Sequence, residues 1–142
     1  MTAKEYLGRL ETVRIQIRAL AERKQFYEDL ATKCTASYSL SPGKGGTAEG
    51  KVSRGAGEAA DKAAELQETI KLCLEIEREV EAAIASVPDQ VYRSVLEYRY
   101  IACWPLSRVA REMKYDYDYM RKLHGKALRM VKVPENIQNP KR

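Results

Sequence analysis

No run of apolar residues in this 142-residue chain approaches the roughly 18 that a bilayer-spanning helix needs, so no membrane partner is expected. The opening residues, MTAKEYLGRLE, hold no apolar h-region, which argues against a signal peptide. The single histidine, His124, argues against Ser-His-Asp chemistry and against a multi-histidine metal site. The three cysteines, Cys34, Cys73 and Cys103, are odd in number and never spaced as CxxC. That argues against a disulfide framework or a thiolate zinc site, and for a reducing cytoplasm. The expectation is a non-enzyme with no cofactor and no catalytic or metal site.

What is present suffices for one domain with an appendage: 44% of residues are hydrophobic and 32% charged, enough to bury a core. The net charge of +5 is spread unevenly. Residues 58–87 hold 3 basic and 8 acidic groups, and residues 88–142 hold 12 basic and 6 acidic. The basic end attracts a polyanion over a Debye length of about 8–10 Å at cellular salt, while the acidic segment is poorly suited to face phosphate.

Residues 2–36 are expected to form one long helix. Tyr6, Leu10, Val13, Ile17, Leu20, Tyr27, Ala31 and Cys34 recur at steps of three and four, broken at Lys24, with Leu7 and Phe26 widening the apolar face. Residues 58–87 repeat the pattern with Ala59, Ala63, Leu66, Ile70, Cys73, Val80, Ile84 and Val87, interrupted by Glu77. Two such seams predict a long antiparallel, coiled-coil-like helical hairpin over 1–87. Pairing of the same seams between two copies, a homodimer, is equally allowed. Between the helices, 37–57 (SYSLSPGKGGTAEGKVSRGAG) is rich in Gly and Ser and is expected to be a flexible linker. Gly45 with Gly50-Lys51 has the spacing of a phosphate loop, but Val52 stands where Ser or Thr would reach magnesium and no strand precedes it, so the linker reading prevails.

Pro88 ends the second helix and Asp89 favours a new start, predicting a third helix over 89–102. After Trp104-Pro105 a short helix is expected over 106–113, with Leu106, Val109, Ala110 and Met113 inward. Lys114 and Tyr115 turn the chain, and Asp116 caps a last helix over 117–132 with Met120, Leu123, Ala127 and Val131 inward. Short helix, tight turn and longer helix predict a helix-turn-helix module over 88–133, followed by a tail, 134–142. Small Ala110 allows close approach, and Met113 and Met120 fill the corner. At about 100° per residue, Asp118, Arg121, Lys122, Gly125, Arg129 and Lys132 lie opposite the apolar stripe. A recognition helix brings such cations to phosphate while its first turns reach base edges.

The segment VLEYRYIACWPLSRVAREMKYDYDYMRKLHGKAL resembles the C-terminal part of sigma-70 region 4-like domains. It is similar to a family of small phage-encoded proteins akin to the ArpU-type late-gene transcriptional regulators. The residues that carry the resemblance are Leu96-Arg99-Tyr100, Val109-Ala110, Met113-Tyr115 and His124-Gly125-Ala127-Leu128, over roughly 88–132. It implies an all-α, sigma region 4-like DNA-binding protein of phage or prophage transcription, with RNA polymerase as a further partner.

For double-stranded DNA, Arg121, Lys122, Lys126 and Arg129 are the expected electrostatic contacts, with Tyr117, Asp118, Arg121 and Lys122 nearest the bases. Arg108, Arg111 and Lys114 are candidate phosphate clamps. His124 and the cysteines are expected to pack. The competing expectation is an interaction module that binds polymerase or a phage protein without reading DNA, its acidic helix being the working surface and Asp116 and Asp118 its supporting signal.

Overall fold

A computed structural model describes residues 1–40 and 45–135, with side chains except those of 34–40 and 45–52. Among the described residues it is all helical: α1 Ala3–Leu40, α2 Gly45–Ala85, α3 Gln90–Leu96, a π-helix Glu97–Ile101, α4 Leu106–Met113 and α5 Tyr117–Met130. None of the helices among the described residues is long and apolar enough to cross a membrane.

Local chemistry fixes the helix starts. Thr2 and Glu5 form a reciprocal cap on α1: the Thr2 amide donates to the Glu5 carboxylate at 2.9 Å, and the Glu5 amide to Thr2 Oγ1 at 3.2 Å. Asp89 caps α3 by accepting from the amides of Val91 and Tyr92 at 2.8 and 3.1 Å. Asp116 stands at the N-cap of α5 but makes no side-chain cap bond there, which corrects the capping role read from sequence.

The expected helix over 89–102 is in fact two. After Leu96 the chain widens into the π-helix, closed by the Ala102 amide on the Glu97 carbonyl at 3.0 Å. It stops at Cys103, which takes a left-handed conformation with φ 59°. Arg14 of α1 donates to the Ile101 carbonyl and approaches Cys103 Sγ at 3.4 Å, so the π-helix ends on a guanidinium supplied by the other end of the chain.

The chain divides into two compact units, Met1–Arg14 with Leu72 onward, and Ile15–Lys71. This division falls inside both long helices. The first unit holds most of the core. Tyr6, Leu7, Leu10 and Val13 of α1, and Cys73, Ile76, Val80, Ile84 and Val87 in and just after α2, are buried. Ile76 takes the core place next to Glu77, which is half-buried and 3.8 Å from Arg14. Val95, Val109, Ala110, Met120 and Leu123 form the cluster that binds α3, α4 and α5 together, with Met113 and Leu106 packed against it. Each large side chain so buried contributes about 1.5–3 kcal/mol.

In the second unit the apolar stripe is shallower. Ile17, Leu20, Tyr27, Ala31, Ala63 and Leu66 are half-buried, and Phe26, expected to widen the buried face, is 62% exposed. The Gly-rich stretch 37–57 is helical over 37–40 and 45–57, against the expectation of a flexible linker; residues 41–44 lie outside the described ones. Gly55 shows the reason for part of this. A Cβ there would sit 3.1 Å from the Tyr27 carbonyl oxygen and 3.3 Å from Ala31 Cβ, so the missing side chain lets α1 and α2 touch. The phosphate-loop look-alike falls in helical backbone whose side chains, like that of Cys34, lie outside the described residues.

Candidate nucleic-acid interface

The turn between α4 and α5 sets the geometry. Lys114 ends α4 in a left-handed conformation, φ 61° and ψ 41°, its amide bonded to α4 carbonyls. The Tyr115 amide returns to the Ala110 carbonyl at 2.9 Å. Val109 and Ala110 face inward from α4, and Met120, Leu123 and Ala127 from α5, with Val131 buried just past its end. Burial of that stripe forces the opposite side of α5 outward. Tyr117, Asp118, Arg121, Lys122, Lys126 and Arg129 are all exposed. Asp118, Arg121 and Lys122 share the lining of one open depression. Gly125 lies on the same helix, and a Cβ added there would meet nothing within 4 Å.

Arg111 and Lys114, from α4 and its end, are exposed as well. Arg108 is exposed but not loose: its guanidinium carbon lies 3.9 Å over the Trp104 ring. Trp104 is itself stacked on Tyr98, centroids 4.8 Å apart and planes 8° from parallel. Neither aromatic entered the site as read from sequence. The four-residue step from Trp104 to Arg108 was a visible signal, whereas Tyr98 arrives through the π-helix.

The pairing of cations differs along the molecule. Arg9 pairs with Glu79 at 2.6 Å, and Arg99 with Glu11 at 3.4 Å, across the core of the first unit. Among the described residues, Arg108, Arg111, Lys114, Arg121, Lys122, Lys126 and Arg129 form no ion pair. Their charge is therefore directed at solvent.

His124 points the other way, into the core, where its Nε2 and the Tyr100 hydroxyl share a hydrogen bond of 2.7 Å. Burial first, then the positive charges of Arg99 and Lys4, push its pKa down to about 4. It is a packing residue without a metal-ligand set: among the described residues no three His, Cys, Asp or Glu side chains gather as one could. Three further tyrosines, Tyr115, Tyr117 and Tyr119, are 36%, 48% and 50% exposed around the start of α5. No protein-family model, curated protein or solved structure matches this chain.

Proposed function

We propose that the chain is a non-catalytic DNA-binding regulator of transcription, of the sigma region 4-like kind found in phages and prophages. In this reading α4, the turn at Lys114–Asp116 and α5 are a helix-turn-helix, with α5 the recognition helix in the major groove. The observation that carries it is the unpaired cationic side of α5, with Arg121, Lys122, Lys126 and Arg129 exposed and the apolar side of the same helix buried. Lysine and arginine side chains that neutralise phosphates release counterions, so affinity comes with a steep salt dependence. Arg111 and Lys114 add phosphate contacts that hold the module in register and carry no sequence information.

The long helices belong to the same proposal as an antiparallel hairpin. Arg9–Glu79 and Arg14–Glu77 step in opposite chain directions, the register such a hairpin requires. The site of action is the cytoplasm, and RNA polymerase is the natural second partner for a sigma-like module.

The test is anisotropy of a labelled random-sequence duplex across a range of salt. About four to six phosphate contacts give a log–log slope near −4 to −5. Binding unchanged by joint Arg121→Ala and Lys122→Ala substitution removes the recognition-helix assignment. A second reading, a module that docks on polymerase or a phage protein without touching DNA, is favoured by the exposed tyrosines at 115, 117 and 119, since tyrosine is enriched in protein interfaces. It requires an absence of duplex binding even at low salt.

A further inference from the structure

We propose that Tyr98, Trp104 and Arg108 form a preset clamp for one backbone phosphate of duplex DNA, in which Arg108 makes the contact and the two rings are positioning residues. The proposal rests on the DNA-binding reading of α4 and α5 and names a device within it. The Trp104 and Tyr98 rings are parallel within 8° at 4.8 Å, and the Arg108 guanidinium carbon is 3.9 Å from the Trp104 centroid. Trp104 is therefore in contact with both, stacked on Tyr98 and covered by the Arg108 guanidinium.

Arg108 lies over a ring whose π-face attracts it, and its planar fork of donors suits a phosphate oxygen. An exposed arginine ordinarily loses much rotamer freedom when a phosphate captures it. Here part of that loss is already taken in the free protein.

The backbone holds the layers as well. The Trp104 amide donates to the Tyr98 carbonyl at 3.0 Å, and the Arg108 amide to the Pro105 carbonyl at 3.0 Å. Lysine would keep the charge at this position but not the flat fork.

Trp104 is the single tryptophan of the chain, so its emission reports on the clamp directly. The full-length protein is titrated with a random-sequence duplex, and tryptophan emission is followed beside anisotropy of a labelled duplex at several salt concentrations. The expected result is a saturable emission change whose midpoint matches the anisotropy midpoint. Arg108→Gln flattens the salt slope by about 0.9, one phosphate. Arg108→Lys keeps the slope and weakens binding about three- to tenfold, since it retains charge without the fork. Trp104→Leu, with every charge intact, weakens binding to a similar extent, and Trp104→Phe restores it to within about twofold by returning a ring to stack on. Arg108→Lys alters no core packing and so reads the clamp even where Trp104→Leu unfolds the module. A duplex that binds while emission stays flat and Arg108→Gln leaves the slope unchanged overturns the clamp and leaves the DNA reading standing. Failure of the native chain to bind duplex at low salt overturns both.

Discussion

The Tyr100 hydroxyl and Nε2 of His124 share a hydrogen bond of 2.7 Å, a buried bond that ties the π-helix to α5. Burial pushes the phenol up to about 12 and, with Arg99 and Lys4, holds the imidazole down at about 4. Around neutral pH both groups are thus uncharged, and the bond joins a neutral phenol to a neutral imidazole. In the unfolded chain His124 protonates near its ordinary value of 6.5, whereas in the fold it resists until about 4. The unfolded state therefore binds more protons in that window, and stability falls as pH drops through it, by at most about 3 kcal/mol. Above that window His124 adds no pH dependence. Thermal unfolding of the native chain and of His124→Gln between neutral pH and pH 4 should show a steeper decline for the native chain. Parallel curves would sink the assignment. Tyr100→Phe leaves Nε2 buried without its hydrogen-bond partner and should cost about 1–2 kcal/mol at neutral pH in urea unfolding.

Lys114 occupies a conformation that suits glycine, φ 61° and ψ 41°. Lys114→Gly should raise stability by about 1 kcal/mol, and Lys114→Val should lower it by about as much, because a β-branched side chain is crowded there. Lysine here also brings charge to the turn between α4 and α5. The same Lys114→Gly protein should bind duplex DNA more weakly, with its salt slope flattened by about 0.9. Stability and affinity moving in opposite directions would mark Lys114 as a residue kept for its charge. Urea unfolding and anisotropy check the two halves separately.

The features legible in the sequence are those set by neighbouring residues. Pro105 and the spacing of Leu106, Val109, Ala110 and Met113 gave α4 its bounds, and the stripe Met120, Leu123, Ala127 gave α5 its buried side. Turning that side inward leaves the cations outward by geometry alone, so the exposed face followed. What escaped depends on partners distant in the chain. The end of the π-helix is met by Arg14, which donates to the Ile101 carbonyl, and no local pattern announces that contact. Ile76 is in the core beside half-buried Glu77 because the seam of α2 shifts by one residue there. Phe26 is apolar yet exposed, since the stripe in Ile15–Lys71 buries little beyond its central row. Gly55 signalled flexibility in the sequence but serves close approach in the fold.

That last difference can be measured. Gly55 and Gly57 both lie in α2, where a glycine costs about 1 kcal/mol against alanine. A Cβ at Gly57 meets nothing within 4 Å, so Gly57→Ala should stabilise the chain by up to about that amount. A Cβ at Gly55 meets the Tyr27 and Ala31 backbone at 3.1 and 3.2 Å, which cannot swing aside as a side chain could. Gly55→Val should therefore destabilise by about 1–3 kcal/mol. A thermal midpoint that rises for both substitutions would restore the view of this stretch as a mere connection.

Asp118 places a carboxylate in the same depression as Arg121 and Lys122, on the side of α5 proposed to meet the duplex. A carboxylate there repels phosphate at any sequence, so Asp118→Asn should tighten random-duplex binding about threefold at low salt. The gain should vanish near 1 M salt, where the Debye length shrinks to about 3 Å. Arg121→Ala with Lys122→Ala should do the reverse, flattening the slope by about 1.8 if both touch phosphate. The two results are linked by geometry, because the three side chains line one surface. An Asp118→Asn protein that binds duplex no better, beside an Arg121/Lys122 double variant that binds worse, would mean that the first turn of α5 stands away from the backbone and only its middle is engaged. Anisotropy titrations of the three proteins on one duplex, at two salt concentrations, separate these outcomes.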